Sequence, residues 1–536
     1  MTVVEVPAVE GRVYARRWWT LAVLCLSLLI VFVGNSSLNV TIPTLSRELG
    51  ASNAQLQWVI AAYSLVFAGL LFTTGALGDR YGRKGALQLG LVVYLAACLF
   101  ATMSDAMWQL IACRAVMGVG AALIMPSTLS ILVNVFPPHE RTKAIAIWAS
   151  VTGAAGAIGP VASGWLLGHF WYGSVFFVNI PILITALVAG QFLVPKSRDP
   201  EQGQFDPVGA LLSIVGISSL VYGLIEAPDS GWGSPVTLGA FTIAAIVLAA
   251  FVAWELHVDE PMLDMRYFRN PAFSTGTGGM ILIFLSMFGV MFLITQYFQL
   301  ILGYSPLGAA LRLLPMAPIM ILVSPMTPRL SARFGANRVV AAGMASVACG
   351  LLLFRALTPH TPYWYVLISI TALVSGIALT MSPMTASIMS AVPARRAGAG
   401  SAMNDATREL GAALGIALMG SLAASRYTAS LASVTAHLPT AVRVKANVSL
   451  ADALSAADTL GGVPGALLRV GAEHAFIDGI QLAVTVGALF AAAAAVIVFR
   501  SLPRQAAHGA AAQGPVEAME IAAEIGLAGV EPAFDD

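Results

Sequence analysis

Charge is what this chain has least of. Only 10% of its 536 residues are Asp, Glu, Lys or Arg, whereas a soluble domain averages roughly 25%. Apolar residues make up 58% of the chain, more than a water-soluble core can absorb. The net charge of +1 gives no general reason to expect a nucleic-acid partner. The composition therefore predicts a polytopic membrane protein whose main surroundings are the lipid bilayer.

Cysteine and histidine are also scarce. The four cysteines lie inside apolar runs, without the spacing of a disulfide framework or a metal site. The seven histidines are scattered along the chain. We expect no metal site, no cofactor and no catalytic centre, so the protein is not predicted to be an enzyme.

Apolar runs of near-spanning length dominate the rest of the chain, since about 20 such residues cross a bilayer as a helix. The first run follows the polar segment 1–17 and is too long for a cleaved signal peptide. Counting it, the sequence predicts fourteen spans in an all-α fold. A twelve-helix count, with the runs at 208–226 and 236–256 not spanning, is the alternative. The other runs lie at about 57–77, 86–104, 108–133, 144–167, 174–194, 208–226, 236–256, 273–297, 308–328, 338–357, 363–391, 404–425 and 476–499.

Basic residues mark the sides of the membrane. If alternate loops are cytoplasmic, that side receives 20 of the 28 Lys and Arg residues, as short cytoplasmic loops usually do. The long loop 426–475 falls outside and is exempt from this rule because of its length. The pattern predicts an inner-membrane protein with both termini in the cytoplasm.

A glycine-punctuated polar loop, GALGDRYGRKGAL, separates the second and third runs. It resembles the signature that major facilitator superfamily transporters carry between helices 2 and 3. The resemblance implies that Asp79 and Arg83 tie the loop to neighbouring helices and help to set which side of the transporter is open. An ordinary cytoplasmic turn is the alternative. The predicted latch residues are Gly75, Asp79, Arg80, Gly82, Arg83 and Lys84.

The second half contains a degenerate repeat of this loop, RLSARFGANR, with Ala332 in place of the aspartate. Two six-helix bundles with two inserted helices resemble the fourteen-helix drug:proton antiporter family of that superfamily, the larger bacterial multidrug exporters. The predicted divisions are a cytoplasmic tail 1–17, a first bundle 18–194, inserted helices with their linkers 195–272, a second bundle 273–500 that includes the external loop 426–475, and a cytoplasmic tail 501–536.

The fifth run contains GAAGAIGPVASGW, which resembles the antiporter element around G-P-x-x-G-G, with Ser163 in place of one glycine. The resemblance implies that the kink and small-residue face let this helix slide and seal the leak path. Close helix packing alone is the alternative. The residues concerned are Gly156, Gly159, Pro160 and Gly164.

An acid is missing from the first helix. The family commonly carries an aspartate nine residues before the proline that ends its first-helix signature, and counting back from Pro43 places Gly34 there. Buried acids carry protons and balance cationic drugs. The absence therefore argues against a lipophilic cation as the substrate.

Few residues remain to couple protons. Arg114 lies within the fourth run, where it either steers proton release from a nearby acid or is a structural arginine bonded to carbonyls. Glu226, Asp405 and Glu409 are the other candidates for proton coupling, with a boundary position in water as the alternative for each.

Polar and polarisable side chains in the helices suggest a substrate pocket, although each of them could equally be a packing residue. The candidates are Asn35, Asn39, Trp148, Met291, Gln296 and Tyr297.

These features together predict a monomeric, proton-driven exporter of small hydrophobic drugs or antibiotics that works by alternating access. A dedicated exporter of one endogenous metabolite or lipid on the same fold is a second possibility. A membrane scaffold or sensor that transports nothing is a third.

Overall fold

Helices form almost the whole of the described protein. The computed structural model describes residues 11–197, 206–259, 261, 263–392 and 397–502, and within these ranges it contains no strand. The segments 1–10, 198–205 and 503–536 lie outside this description, and with them most of the two predicted tails. The all-α prediction is confirmed.

Fourteen helical spans account for the predicted runs. Thirteen segments in the described part are long and apolar enough to cross a bilayer, and the fifth helix, 32 residues long, is the fourteenth. The first half consists of α1 (Gly11–Leu49), α2 (Asn53–Tyr81), α3 (Arg83–Thr102), α4 (Met107–Val135), α5 (Pro138–His169), and a broken span formed by α6 (Ser174–Phe177) and α7 (Asn179–Leu193). The inserted pair is α8 (Pro207–Ser230) and α9 (Pro235–His257).

The second half begins after a 3-10 turn at Met265–Arg269. It contains α10 (Pro271–Gln296), which continues as a π-helical turn at Tyr297–Ile301, a span divided into α11 (Pro306–Leu313) and α12 (Met316–Val323), and the short α13 (Met326–Phe334). The remaining helices are α14 (Ala336–Phe354), α15 (Tyr363–Ser390), α16 (Ala397–Thr435), α17 (Thr440–Val448), α18 (Leu450–Leu460) and α19 (Gly462–Ser501).

Local sequence sets where several helices begin. Asp206 caps α8 by accepting a bond from the Gly209 N–H at 2.8 Å, and Ser234 and Ser305 cap α9 and α11 in the same manner. A proline follows each of these caps at the first helical position, where its missing N–H costs nothing.

The two copies of the polar loop share a backbone feature. Gly82 separates α2 from α3 with φ of 130°, and Gly335 separates α13 from α14 with φ of 89°. Only glycine adopts such angles without strain. The predicted internal repeat therefore has a counterpart in the backbone.

The inserted helices rest against both halves of the molecule. Helix α8 packs on α9, on α2 of the first half and on α16 of the second. A separate small cluster of buried apolar side chains joins the three helices α2, α8 and α16: Ala61, Leu65, Val221, Ile225, Ala413 and Ala417. The pair thus lies beside the interface on which the two halves meet.

Hydrogen bonds hold the outer side of that interface together. The Gln299 amide donates to the Val40 carbonyl at 3.0 Å, and the Ser421 hydroxyl donates to the Gln57 side chain at 3.3 Å. Both connect the first half to the second near their outer ends. These bonds therefore join the two halves on the side that the sequence predicts to be outer.

The region 426–475, predicted as an external polar loop, is helical. Helices α16 and α19, of 39 and 40 residues, extend into this region, and α17 and α18 lie between them in the chain. The Tyr427 hydroxyl donates to the Ala446 carbonyl at 2.9 Å, and the Ser449 hydroxyl lies 3.2 Å from that of Ser46 at the end of α1. Alanine-rich sequence favours helix, so this region forms a packed cap that contacts the first half.

Glycines of α5 permit two close helix contacts. A Cβ at Gly159 would overlap the Ser36 hydroxyl of α1, and one at Gly164 would lie 2.8 Å from the Leu307 Cα of α11. The second contact joins the two halves. Gly156, on the same helix, has nothing within 4 Å of its Cβ position.

Gly164→Ala should destabilise the outer-closed state by about 1–3 kcal/mol, because the obstructing atoms at Leu307 are backbone and cannot move aside. Gly156→Ala is the matched control and should be neutral or slightly stabilising. Thermal unfolding of the purified variants in detergent measures the difference. Equal melting temperatures for the two variants would refute the close contact.

Candidate proton-coupling site

Arg114 is the centre of the polar structure inside the first half. Its side chain on α4 is fully buried, at 0% exposure. The guanidinium donates to the Val59 carbonyl at 3.1 Å and to the Asn35 side chain at 3.2 Å. Its central carbon lies 4.3 Å from the centroid of the Tyr63 ring. A carbonyl, an amide and an aromatic face thus replace the water that this charge has lost.

The position of the missing aspartate is filled from another helix. A Cβ at Gly34 would overlap the hydroxyl of Tyr94 on α3. Tyr94 is fully buried, and its hydroxyl has no hydrogen-bond partner in the described part of the protein. The first helix therefore gives Arg114 no carboxylate, and the Asn35 side-chain oxygen accepts a hydrogen bond from the guanidinium instead.

Glu409 supplies a negative charge from the opposite half. Its side chain on α16 is 9% exposed. The Ser64 hydroxyl of α2 donates to its carboxylate at 2.7 Å. Ser64 follows Tyr63, the residue under Arg114, so α2 contacts both the arginine of the first half and the acid of the second. The arrangement joins an arginine of one half to an acid of the other.

The other two acids have different surroundings. Asp405 pairs with Arg408 of its own helix at 3.6 Å and keeps some exposure to solvent. Glu226, near the outer end of α8, accepts a bond from Ser230 at 2.8 Å. The structure brings neither of them into a hydrogen bond between the two halves.

The pocket residues proposed for the first half have mixed environments. Asn35 is occupied by Arg114, and the Trp148 indole donates to the Thr128 hydroxyl at 3.3 Å. The side-chain oxygen of Asn39 is buried and has no partner among the described residues. Asn39 is therefore the candidate of the first half that keeps an unpaired acceptor among the described residues.

The pocket residues proposed for the second half make internal contacts. The Gln296 amide donates to its own helix at Phe292, 3.0 Å away. The Tyr297 hydroxyl donates to the Thr358 carbonyl at 2.7 Å. Met291 is buried within the apolar core. These contacts stabilise the fold around the π-helical turn.

The latch loop is attached to the end of α7. The Arg83 N–H donates to the Ser197 carbonyl at 3.0 Å, and the Lys84 ammonium donates to the Gln191 carbonyl at 2.6 Å. These bonds connect the start of α3 to the last residues of the first half.

Other loop residues contribute less. Gly75 lies against Pro126 of α4, and the Arg80 guanidinium stands 5.7 Å from the centroid of the exposed Tyr81 ring. The side chain of Asp79 lies outside the described part of the structure, so its predicted latch role stays a prediction.

Comparisons with known proteins agree with this architecture. The model of the Major Facilitator Superfamily matches residues 24–416. The chain is 33% identical over 498 residues to the multidrug efflux pump LfrA of Mycolicibacterium smegmatis, covering 93% of this chain and 98% of the relative. It is 32% identical to the tetracenomycin C resistance and export protein of Streptomyces glaucescens, covering 90% and 91%.

The fold has a counterpart among solved structures. An inward-facing bacterial homologue of the human lysosomal transporter Spinster aligns with a TM-score of 0.62 at 17% identity, covering 91% of this chain and 97% of that one. The chain is a polytopic membrane transporter. It belongs to the major facilitator superfamily, and the predicted resemblance is confirmed.

Sequence reasoning missed several partners in this site. Ser64 is one serine within an apolar run, Val59 acts through its carbonyl, and Tyr94 resembles any core aromatic. No sequence pattern distinguishes these residues, because their roles come from which helices lie beside each other.

The contact between Gly34 and Tyr94 can be tested by a double-mutant cycle. Gly34→Ala should cost about 1–3 kcal/mol of stability, since the new Cβ meets the tyrosine hydroxyl. In a Tyr94→Phe background the cost should nearly vanish, because the nearest ring carbon lies at an ordinary 3.5 Å. Thermal unfolding of the wild type, the two single variants and the double variant in detergent gives the interaction free energy between the two positions. Additive effects would mean that the two residues do not compete for this space.

Proposed function

We propose that this protein uses the proton gradient to export hydrophobic drugs or antibiotics across the inner membrane of a bacterium. The names of the two relatives, a multidrug efflux pump and an antibiotic export protein, support drug efflux. Both match this chain over nearly their whole length. The basic residues of the predicted cytoplasmic loops support an orientation with both termini inside.

Glu409 is the residue we assign to carry the proton, and its position is the observation on which the proposal depends. It is a buried carboxylate at the interface of the two halves, hydrogen-bonded to Ser64 of the other half. A proton on this group removes the negative charge and with it the attraction to Arg114. Protonation therefore changes the free energy that holds α2 and α16 together.

Alternating access depends on this change in the free energy that holds α2 and α16 together. When Glu409 is ionised, the bond from Ser64 and the attraction of Arg114 favour the outer-closed arrangement seen here. In this arrangement a drug would enter between the two halves from the cytoplasmic side. After the drug has left on the outer side, Glu409 takes up a proton from outside and carries it inward on the return; release of this proton inside restores the ionised carboxylate and the attraction that favours the starting arrangement. One chain contains the whole cycle, so we propose that it works as a monomer.

The latch loop has a separate role in this account. Its bonds to Gln191 and Ser197 keep α3 and α7 moving as one body. We assign Arg83 and Lys84 to this rigid unit, because both contact the end of α7 through described bonds.

Glu409→Gln should lower proton-driven efflux at least tenfold, because the amide keeps the shape of the side chain but takes up no proton. Asp405→Asn is the matched control; it should keep most activity, because Asp405 pairs within its own helix. Efflux of fluorescent hydrophobic drugs from overexpressing cells, with and without a protonophore, measures both at equal expression.

If the Glu409→Gln variant exports drugs as fast as the wild type does, Glu409 does not couple proton movement to export. If wild-type cells instead retain every drug as well as the empty vector does, broad drug export is wrong, and a dedicated exporter of one metabolite becomes the better account. A protonophore that leaves wild-type efflux unchanged would contradict proton coupling itself.

A further inference from the structure

A basic cavity lies on the latch-loop side of the first half, away from the interface of the two halves. Its volume is about 810 Å³. It is open to the surface and is bordered by the start of α3, the end of α4, the end of α7 and the segment that follows α7. Its polar lining includes two lysines, three amide side chains and one serine: Lys84, Lys196, Gln88, Asn134, Gln191 and Ser197. No described lining residue is acidic.

Positive charge is concentrated in this cavity, and the described residues of its lining include no acid to balance it. Lys84 and Lys196 line the same cavity, so their like charges repel each other. Lys84 is held in place by its bond to the Gln191 carbonyl at 2.6 Å. It also stands in the first turn of the 20-residue helix α3, where the backbone adds partial positive charge. An anion that bridges the two ammonium groups would remove this repulsion.

Hydrogen-bond donors for an anion are already fixed. The Ser197 carbonyl accepts the Arg83 N–H at 3.0 Å, which anchors the segment after α7 against α3. The Ser197 hydroxyl is buried and has no partner among the described residues. A phosphate oxygen would satisfy this hydroxyl together with the lysine ammonium groups.

The surface beside the cavity is apolar and faces outward from the protein. On α3, Leu89 is 53% exposed and Val92 47%. On α7, Val188 is 52% exposed and Phe192 74%. Helices α3 and α7 contact each other, and these exposed side chains, which we call the apolar band, lie one to three turns from the lysines. In a bilayer the band meets acyl chains.

We propose that this cavity binds the headgroup of an anionic phospholipid from the cytoplasmic leaflet, with the acyl chains on the apolar band of α3 and α7. Basic pockets between helices on this side of a membrane are suited to such headgroups. The two lysines match the two phosphates of cardiolipin better than the single phosphate of phosphatidylglycerol. A bound lipid would bridge the latch loop and α7, and so stiffen the unit that moves during transport. The inference is independent of which substrate is carried.

Native mass spectrometry of the delipidated full-length protein, titrated with cardiolipin, tests the proposal. Near a membrane surface each lysine contributes roughly a fivefold change in affinity. Lys84→Gln with Lys196→Gln should therefore weaken cardiolipin binding by roughly 25-fold. The double Lys→Arg variant should bind as the wild type does, because both positive charges remain. Phosphatidylethanolamine, which has no net charge, should bind the wild type more weakly than cardiolipin.

Arg338→Gln is the matched control. Arg338 is exposed at the start of α14, the corresponding turn of the second half, and its loss should leave the affinity unchanged. Binding is compared only among variants that elute as single species with wild-type helix content. Equal cardiolipin affinity in the wild type and the double glutamine variant, or an equal loss in Arg338→Gln, would overturn the proposal. Full competition by millimolar inorganic phosphate would show a free-anion site instead of a lipid site.

Discussion

A single positive charge inside the hydrocarbon constrains the first half of this protein. A charge at the centre of a membrane helix costs about 2.5–3.5 kcal/mol even on insertion scales, and Arg114 is fully buried. Two neighbouring helices offset that cost: α1 supplies the Asn35 amide, and α2 supplies the Val59 carbonyl and the Tyr63 ring. The relative positions of α1, α2 and α4 are therefore specified by one side chain as well as by apolar packing.

The charge balance of Arg114 crosses the interface of the two halves. With Gly34 and Tyr94 in place of an acid on the first helix, the first half gives Arg114 no carboxylate among its described contacts. Glu409, on α16 of the second half, is the acid that contacts α2, the helix that also contacts Arg114. An electrostatic attraction that acts between the moving bodies, instead of within one of them, is sensitive both to protonation and to the separation of the halves. This is the physical link between proton binding and conformational change in our account.

Sequence alone predicted the elements that depend on local or periodic features. Long apolar runs gave the spans, and the glycines of the two polar loops indicated the repeat, with Gly82 and Gly335 both at positive φ. The candidate site was predicted only in part. Glu409 was one acid among several, and its distinction from Asp405 comes from Ser64, a residue 345 positions away in the chain. The contact of Tyr94 with Gly34 was likewise not predicted, because it depends on how α3 packs against α1.

The external region shows a different limit. Its polar, alanine-rich sequence was predicted as a loop because it is too polar to span a membrane, yet it forms α17 and α18. Hydropathy distinguishes segments that cross a membrane from segments that lie in water, but it does not show whether a segment in water is helical or irregular. The contacts of Tyr427 with Ala446 and of Ser449 with Ser46 order this region, and each joins distant segments.

Proton release on substrate binding is the most direct test of the central claim. Purified protein in weakly buffered detergent solution, equilibrated at a pH where Glu409 is protonated, is mixed with a transported drug while a pH indicator reports released protons. The account predicts release from the wild type and from Asp405→Asn, and none from Glu409→Gln, although all three bind the drug. Undiminished release from Glu409→Gln would contradict the assignment of the proton to this carboxylate.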